Sequence, residues 1–188
     1  FPLRLSDLVV LEVDQDAPEK VVWSSGAEYR ISDLPAVGFS GDYYHRPAFI
    51  HGQWIEFQGC VMFIDPSGKG LDETAYSIVA HLNGNLFVLE VGSFREGYTE
   101  PVLRGLAEAA KRRKVKLILL EDQFGQGMME NLLQPYLREV YPCTIEATRS
   151  NVQKERRIIN ALEPVMNQHR LIFNRSVIED DSKAKDDD

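Results

Sequence analysis

The chain is poor in cysteine and has no long apolar run, and each shortage excludes a class of protein. Cys60 and Cys143 are its only cysteines. They lie far apart without the spacing of a metal-binding motif, so we predict a reducing, cytoplasmic compartment. No stretch approaches the roughly 20 consecutive apolar residues that a membrane helix needs. A membrane partner is therefore not expected.

The start of the chain also lacks two familiar signals. It begins Phe1-Pro2-Leu3, without an initiator methionine and without the layout of a signal peptide. We therefore expect the sequence to come from the middle of a longer polypeptide. Its 188 residues suit one domain with a flanking segment, and 44% hydrophobic and 27% charged residues are ordinary for a globular protein.

The net charge of −8 argues against a nucleic-acid partner until its distribution is considered. Residues 175–188 carry six acidic and three basic side chains, whereas basic residues concentrate in 111–116 and 149–157. An acidic, metal-filled centre with basic flanks would suit an enzyme that cuts DNA. Basic runs are also typical of solvated helix faces. Charge alone leaves both interpretations open.

The hydrophobic pattern divides the chain into three parts. Residues 1–59 hold short apolar runs interrupted by proline and glycine, which predicts a linker or packing arm. Residues 60–176 are the predicted folded domain, and residues 177–188 a flexible acidic tail. Within the domain, strands are predicted at 60–64, 74–82, 86–91, 116–120, 143–147 and 171–173, and helices at 99–114, 127–140 and 152–166. A hairpin turn is predicted at 83–85. Apolar residues recur at helical spacing in the first helix (Val102, Leu103, Leu106, Ala109 and Ala110), and four are expected to point inward on the third (Ile158, Ile159, Leu162 and Val165). This order of strands and helices predicts an α/β, ribonuclease H-like fold, with a mixed sheet of about five strands flanked by helices.

Two acidic residues stand at the ends of predicted strands. Asp65 closes the first strand of the domain and Glu121 closes the fourth, and these strands are neighbours in a ribonuclease H-like sheet. Two carboxylates held together repel, so such a pair either keeps a proton or holds a divalent cation. The cation indicates metal-dependent phosphodiester chemistry. The alternatives are that Asp65 is a plain turn residue before Pro66, and that Asp122 replaces Glu121.

Several long motifs resemble one protein family. The runs from Cys60 to Thr74 (CVMFIDPSGKGLDET), Leu117 to Met128 (LILLEDQFGQGM) and Asn151 to Phe173 (NVQKERRIINALEPVMNQHRLIF) occur in the order found in the nuclease domain of phage large terminase subunits. Leu34 to Phe49 resembles the segment that enters this domain. The chain is similar to the C-terminal nuclease domain of the short-tailed, podovirus-type members of that DNA-packaging family.

The resemblance implies an endonuclease that cuts concatemeric viral DNA in the host cytoplasm with two Mg²⁺ or Mn²⁺ ions. Asp65 would bridge both ions and Glu121 would bind one of them. Double-stranded phage DNA, the portal of the procapsid and the small terminase subunit are the implied partners. The chain lacks the G-x-x-x-x-G-K-[ST] phosphate loop, so the ATPase of such a motor would lie outside it.

The family also uses a third carboxylate, in an HDD-type motif that opens a late helix. Asp187 or Asp188 is a candidate for the start of that motif, and an unrelated acidic tail is the alternative. Lys69, Lys154 and Arg157 are candidate DNA-binding residues, the last two because they lie three apart on one helix face.

Two other functions compete with a nuclease. A docking module without catalysis would bind DNA or the portal while a partner supplies the active site. An actin-like nucleotide-binding fold is weaker, because the glycines after Asp65 have no second matching turn.

Overall fold

The computed structural model describes residues 3–66, 73–121, 127–149 and 153–186, and these contain nine strands and four α-helices. The strands are β1 (Val9–Leu11), β2 (Asp16–Val22), β3 (Phe49–Glu56), β4 (Gly59–Asp65), β5 (Thr74–Leu82), β6 (Asn85–Phe94), β7 (Leu117–Glu121), β8 (Thr144–Thr148) and β9 (Leu171–Asn174). The helices are α1 (Glu100–Arg112), α2 (Met128–Val140), α3 (Lys154–Asn167) and α4 (Arg175–Asp186).

Seven strands form a mixed sheet in the order β1-β9-β6-β5-β4-β7-β8, and β2 pairs with β3 in a separate antiparallel sheet. The pairs β1–β9, β6–β9, β4–β7 and β7–β8 are parallel. The predicted α/β class, with a mixed sheet and helices, is confirmed. The sheet is wider than the five or so strands expected, partly because β1 comes from the predicted packing arm. The run at Val9–Leu11 could be identified as a possible short strand, but its pairing with β9, which is distant in sequence, could not.

The predicted hairpin between β5 and β6 turns at Asn83 and Gly84, whose φ angles are +50° and +82°. Positive φ at both central residues is the geometry of a type I′ turn, which joins antiparallel strands and favours Asn-Gly. The Gln58 side chain fixes the turn, since its Oε1 accepts from the Asn83 backbone N–H at 3.0 Å and its Nε2 donates to the Asn83 Oδ1 at 3.2 Å.

The chain folds into two compact units, of which one comprises residues 59–80 and 90–151. Its core forms because alternate residues of its strands and one stripe of its first helix are apolar. The α1 stripe is as predicted, with Val102, Leu103, Leu106, Ala109 and Ala110 all buried. Pro101 lies in the first turn, where no intrahelical N–H bond is lost.

Glu90 is the charged centre of this unit. Its carboxylate accepts hydrogen bonds from Tyr76 at 2.7 Å, from two nitrogens of Arg112 at 2.9 and 2.7 Å, and from Arg113 at 3.0 Å. Burial alone would raise the pKa of Glu90, but hydrogen bonds from Arg112 and Tyr76 outweigh it and lower the pKa from 4.5 to about 2. The cluster ties β5 and β6 to the end of α1.

The other unit comprises residues 1–58, 81–89 and 152–188, of which the described residues show an ordered N-terminal segment. The buried Asp42 carboxylate accepts from Arg4 at 2.7 Å and from the Ser6 hydroxyl at 3.0 Å. The Trp23 ring stacks on His169 with the centroids 3.6 Å apart, and His45 meets Trp23 edge-on at 5.7 Å.

Two expectations for the C-terminal region differ from the structure. Residues 175–186 form α4 where a flexible tail was expected from residue 177; Arg175 bonds to Glu179 one turn later at 2.7 Å and Ile178 is buried. The acidic composition obscured these helix-forming contacts. Ile158 and Ile159 were expected to point inward on α3, but they are 44% and 45% exposed. The domain boundaries at 59/60 and 176/177 stay predictions.

No helix in the described ranges combines the length and the apolarity needed to cross a bilayer.

We predict that Glu90→Gln lowers the free energy of unfolding by about 2–3 kcal/mol at pH 7, because two arginines lose their buried anionic partner. The lowered pKa means that Glu90 stabilises the fold above pH 4.5 and that this contribution is lost as the pH falls towards about 2. Urea unfolding at pH 7 and pH 3 tests this. Glu108→Gln, an exposed carboxylate on α1, is the control. Equal losses in both variants would contradict the prediction.

His45 predicts a second pH effect in a different range. Burial, followed by the positive charge of Arg30, lowers its pKa from 6.5. The neutral ring is therefore favoured in the folded state, and stability should be lost as the pH falls below 6.5. His45→Phe keeps an aromatic edge against Trp23 and removes the titration. The urea midpoint of the variant should be the same at pH 7.5 and pH 5.5, whereas the midpoint of the parent should fall. An equal fall in both proteins would refute the assignment of this pH effect to His45.

Candidate functional site

The site begins with the register of two neighbouring strands. β4 and β7 run parallel, and their last paired residues are Ile64 and Leu120. Asp65 and Glu121 follow as the final residues of the two strands. Neighbouring strands lie about 4.8 Å apart, so the backbones of the two acidic residues are adjacent at the carboxyl edge of the sheet.

The two carboxylates also share a face of the sheet. Side chains alternate between faces along a strand, so Asp65 is on the side of Phe63 and Glu121 on the side of Leu119. Phe63 and Leu119 are register partners, which places both acids on the same side. The opposite side is the core: Met62, Ile64, Ile118 and Leu120 are at most 2% exposed. Phe63, by contrast, is 44% exposed, so the face that carries the acids is open beside it.

A third strand extends this edge, and the residues it contributes were not among the predicted site residues. β8 pairs with β7 so that Thr148 is opposite Glu121 and Glu146 is opposite Leu119. The Thr148 hydroxyl donates to the backbone oxygen of Leu120 at 3.4 Å. Glu146 is therefore an exposed carboxylate on the same face, two residues before the end of its strand. The signal that finds these residues is strand pairing, which a single sequence does not supply.

The remaining predicted site residues divide by location. Lys69, Asp187 and Asp188 lie outside the described residues, as does Asp122, the competitor of Glu121. Lys154 begins α3.

Arg157 lies one turn further along α3 and is partly buried. Of the predicted site residues, Asp65 and Glu121 are the two that the pairing of β4 with β7 brings together. The roles of Lys154 and Arg157 stay predictions.

The donor chemistry of this edge suits a hard divalent cation. Carboxylate oxygens are the ligands that Mg²⁺ and Mn²⁺ prefer, and two anionic groups on adjacent strands are stabilised by a cation between them. Two protein carboxylates suffice for a Mg²⁺ site whose other ligands are water or substrate oxygens. Within the described ranges, no cluster of three or more His, Cys, Asp or Glu is arranged to hold a metal ion.

Comparison with known proteins gives consistent similarities. The family model described as the bacteriophage T7 terminase, ribonuclease H-like domain, matches residues 64–171. The large terminase subunit of Enterobacteria phage T3 is 36% identical over all 188 residues, which span 32% of that relative's length.

Solved structures share the fold at low identity. A mutant nuclease domain of the large terminase subunit of bacterial virus Sf6, solved with manganese and beta-thujaplicinol, has a TM-score of 0.50 at 12% identity, covering 66% of each chain. A second structure of the mutant Sf6 protein, with calcium, has the same TM-score, identity and coverage.

We predict that millimolar Mn²⁺ raises the melting temperature of the parent and that Asp65→Asn and Glu121→Gln abolish most of this rise, because each removes a ligand. Without metal, the melting temperatures of the parent and the variants provide the reference from which the Mn²⁺ effect is calculated. Glu108→Gln, an exposed carboxylate on α1, is the control, with the Mn²⁺ effect retained. Differential scanning calorimetry measures both quantities. Loss of metal-free stability in both variants would instead assign the pair a structural role.

Proposed function

Because the chain belongs to the ribonuclease H-like domain family of the bacteriophage T7 terminase, we propose that it is a metal-dependent endonuclease domain of a large terminase subunit, which cuts concatemeric phage DNA during genome packaging. The observation that carries the proposal is the adjacency of Asp65 and Glu121 at one edge and on one face of the sheet. Catalytic carboxylates need that arrangement to act on a single phosphodiester.

Asp65 and Glu121 would hold the cations, Asp65 as the residue common to two ions and Glu121 as a ligand of one. Two bound divalent ions supply an activated water and charge stabilisation for the leaving 3′ oxygen. The protein positions its two carboxylates on strands whose buried side chains fix the backbone, and the half-open face beside Phe63 admits a substrate. The Sf6 nuclease domain, solved with manganese and with calcium, supports the choice of a divalent cation.

Lys69, Lys154 and Arg157 are proposed to contact DNA phosphates. Such contacts carry affinity and orientation and little sequence information, so we expect cleavage with little sequence preference. The proposed substrate is double-stranded phage DNA in the host cytoplasm. The proposed partners are the portal of the procapsid and the small terminase subunit. Since the chain spans 32% of the phage T3 subunit, packaging itself is proposed for the whole subunit.

We expect Asp65→Asn and Glu121→Gln to lower the rate of plasmid nicking in Mn²⁺ by about a hundredfold or more, because each removes a direct ligand of the proposed metal site. The measurement is a nicking assay on the complete large subunit that carries this sequence. Glu108→Gln, an exposed carboxylate on α1, should keep its activity within about twofold.

Two outcomes would contradict the proposal. Equal nicking by the parent and the Asp65 variant would remove that carboxylate from the mechanism. DNA binding without nicking, and without any Mn²⁺ effect on stability, would favour the non-catalytic docking module.

A further inference from the structure

A cavity of about 810 Å³ lies within the unit that holds β1 and the β2–β3 sheet. Its size falls inside the range of about 300–1,000 Å³ that is common for ligand sites. Val10, Ile31 and Ala48 give it an apolar lining, and three arginines, Arg30, Arg46 and Arg175, contribute to its wall against two carboxylates, Glu12 and Asp33. None of these residues belongs to the edge that holds Asp65 and Glu121.

The three arginines differ in how their charge is used. Arg175 donates to both Asp33 and Glu179, so two carboxylates balance its charge. Arg30 and Arg46 form no ion pair with any described residue. The lining therefore offers two guanidinium groups that form no ion pair with a described carboxylate, against one exposed carboxylate, Glu12, that also forms none. An anionic ligand fits this balance.

Aromatic rings, and not carboxylates, hold these two guanidinium groups in place. Arg30 lies over the Tyr43 ring at 4.4 Å, and Arg46 lies over the Tyr29 ring at 5.2 Å. Arg46 also donates to the backbone oxygen of Glu28 at 3.0 Å. A cation–π contact orients an arginine and leaves the outer edge of its planar fork available for hydrogen bonds. Phosphate oxygens match that fork in a bidentate manner.

An exposed aromatic platform adjoins the arginines. Phe49, at the start of β3, lines the cavity and is 57% exposed. Its ring stacks on His51, with the centroids 5.9 Å apart. Exposed aromatic rings are unfavourable in water, and unpaired nucleobases stack on such rings. Guanidinium groups beside an aromatic face are the combination that proteins use for single strands.

We propose that this cavity, formed around Arg30, Arg46 and Phe49, binds single-stranded DNA. Arg30 and Arg46 contact consecutive phosphates, and an unpaired base stacks on Phe49. Duplex DNA fits less well because its bases are already stacked on one another and cannot reach the Phe49 ring. An acidic peptide would satisfy the arginines and leave the aromatic platform unused.

The test is fluorescence anisotropy of the full 188-residue chain in EDTA, with a fluorescein-labelled oligothymidylate of about 12 nucleotides. Arg30→Gln with Arg46→Gln should weaken binding about tenfold and reduce the slope of log K against log salt by about 1.4, the value for two single-strand phosphate contacts. Phe49→Ala should weaken binding about fivefold or more without changing that slope. Phe49→Trp should restore the affinity.

Matched controls isolate the cavity. Arg95→Gln removes an exposed arginine of the other unit, and Val37→Ala trims another exposed apolar side chain; both should bind like the parent. Because binding is measured in EDTA, where no divalent ion is available for nicking, a failure of the nuclease proposal and a failure of this one are separable.

Three results would overturn the proposal. The first is unchanged affinity in both the arginine pair variant and Phe49→Ala. The second is tighter binding of a duplex of equal length. The third is equal competition by a polyglutamate peptide, which would assign the cavity to an acidic protein segment.

Discussion

The parallel register between β4 and β7 is the constraint on which the candidate nuclease site depends. It pairs Ile64 with Leu120, and both side chains are at most 2% exposed. Shifting one strand by a single residue would move its apolar set to the opposite face, so burial of these side chains fixes the register strongly. The same register sets the next residues, Asp65 and Glu121, side by side. The burial of these apolar side chains thus holds two carboxylates side by side in spite of their mutual repulsion.

The part of the site that was predictable from sequence is the pair of strands that carry Asp65 and Glu121, because both strands are continuous apolar runs. Each run ends in an acid, and the order of elements implies that the first and fourth strands are neighbours. The position of β8 beside β7 was not predictable in the same way, because its alternation is weak: only Ile145 is buried among its five residues. Thr148 and Glu146 therefore became visible only through strand pairing. Local patterns identify strands, whereas neighbours across a sheet depend on packing over long distances in sequence.

Charged residues were the least predictable component. A glutamate near the middle of a strand, such as Glu90, is expected at the surface, yet here it receives three side-chain partners from β5 and the end of α1. Asp42 has the same character, with Arg4 and Ser6 reaching it from 38 and 36 residues away. Residue type and spacing along the sequence do not predict such pairings. For the same reason the acidic composition of residues 177–188 predicted a flexible tail, although the Arg175–Glu179 bond and the burial of Ile178 belong to a helix.

The arginines of this protein show how context decides whether a positive charge stabilises the fold or remains for a ligand. Arg112 is committed to a partly buried carboxylate through two hydrogen bonds, and its pKa is raised chiefly by those bonds. Arg30 and Arg46 are held instead by tyrosine rings, which orient a guanidinium without neutralising it. A fold gains little stability from such an exposed contact, about 0.5–1 kcal/mol. The ring contacts of Arg30 and Arg46 therefore add little to stability, and they leave both exposed guanidinium groups available to the phosphates of the proposed single-stranded ligand.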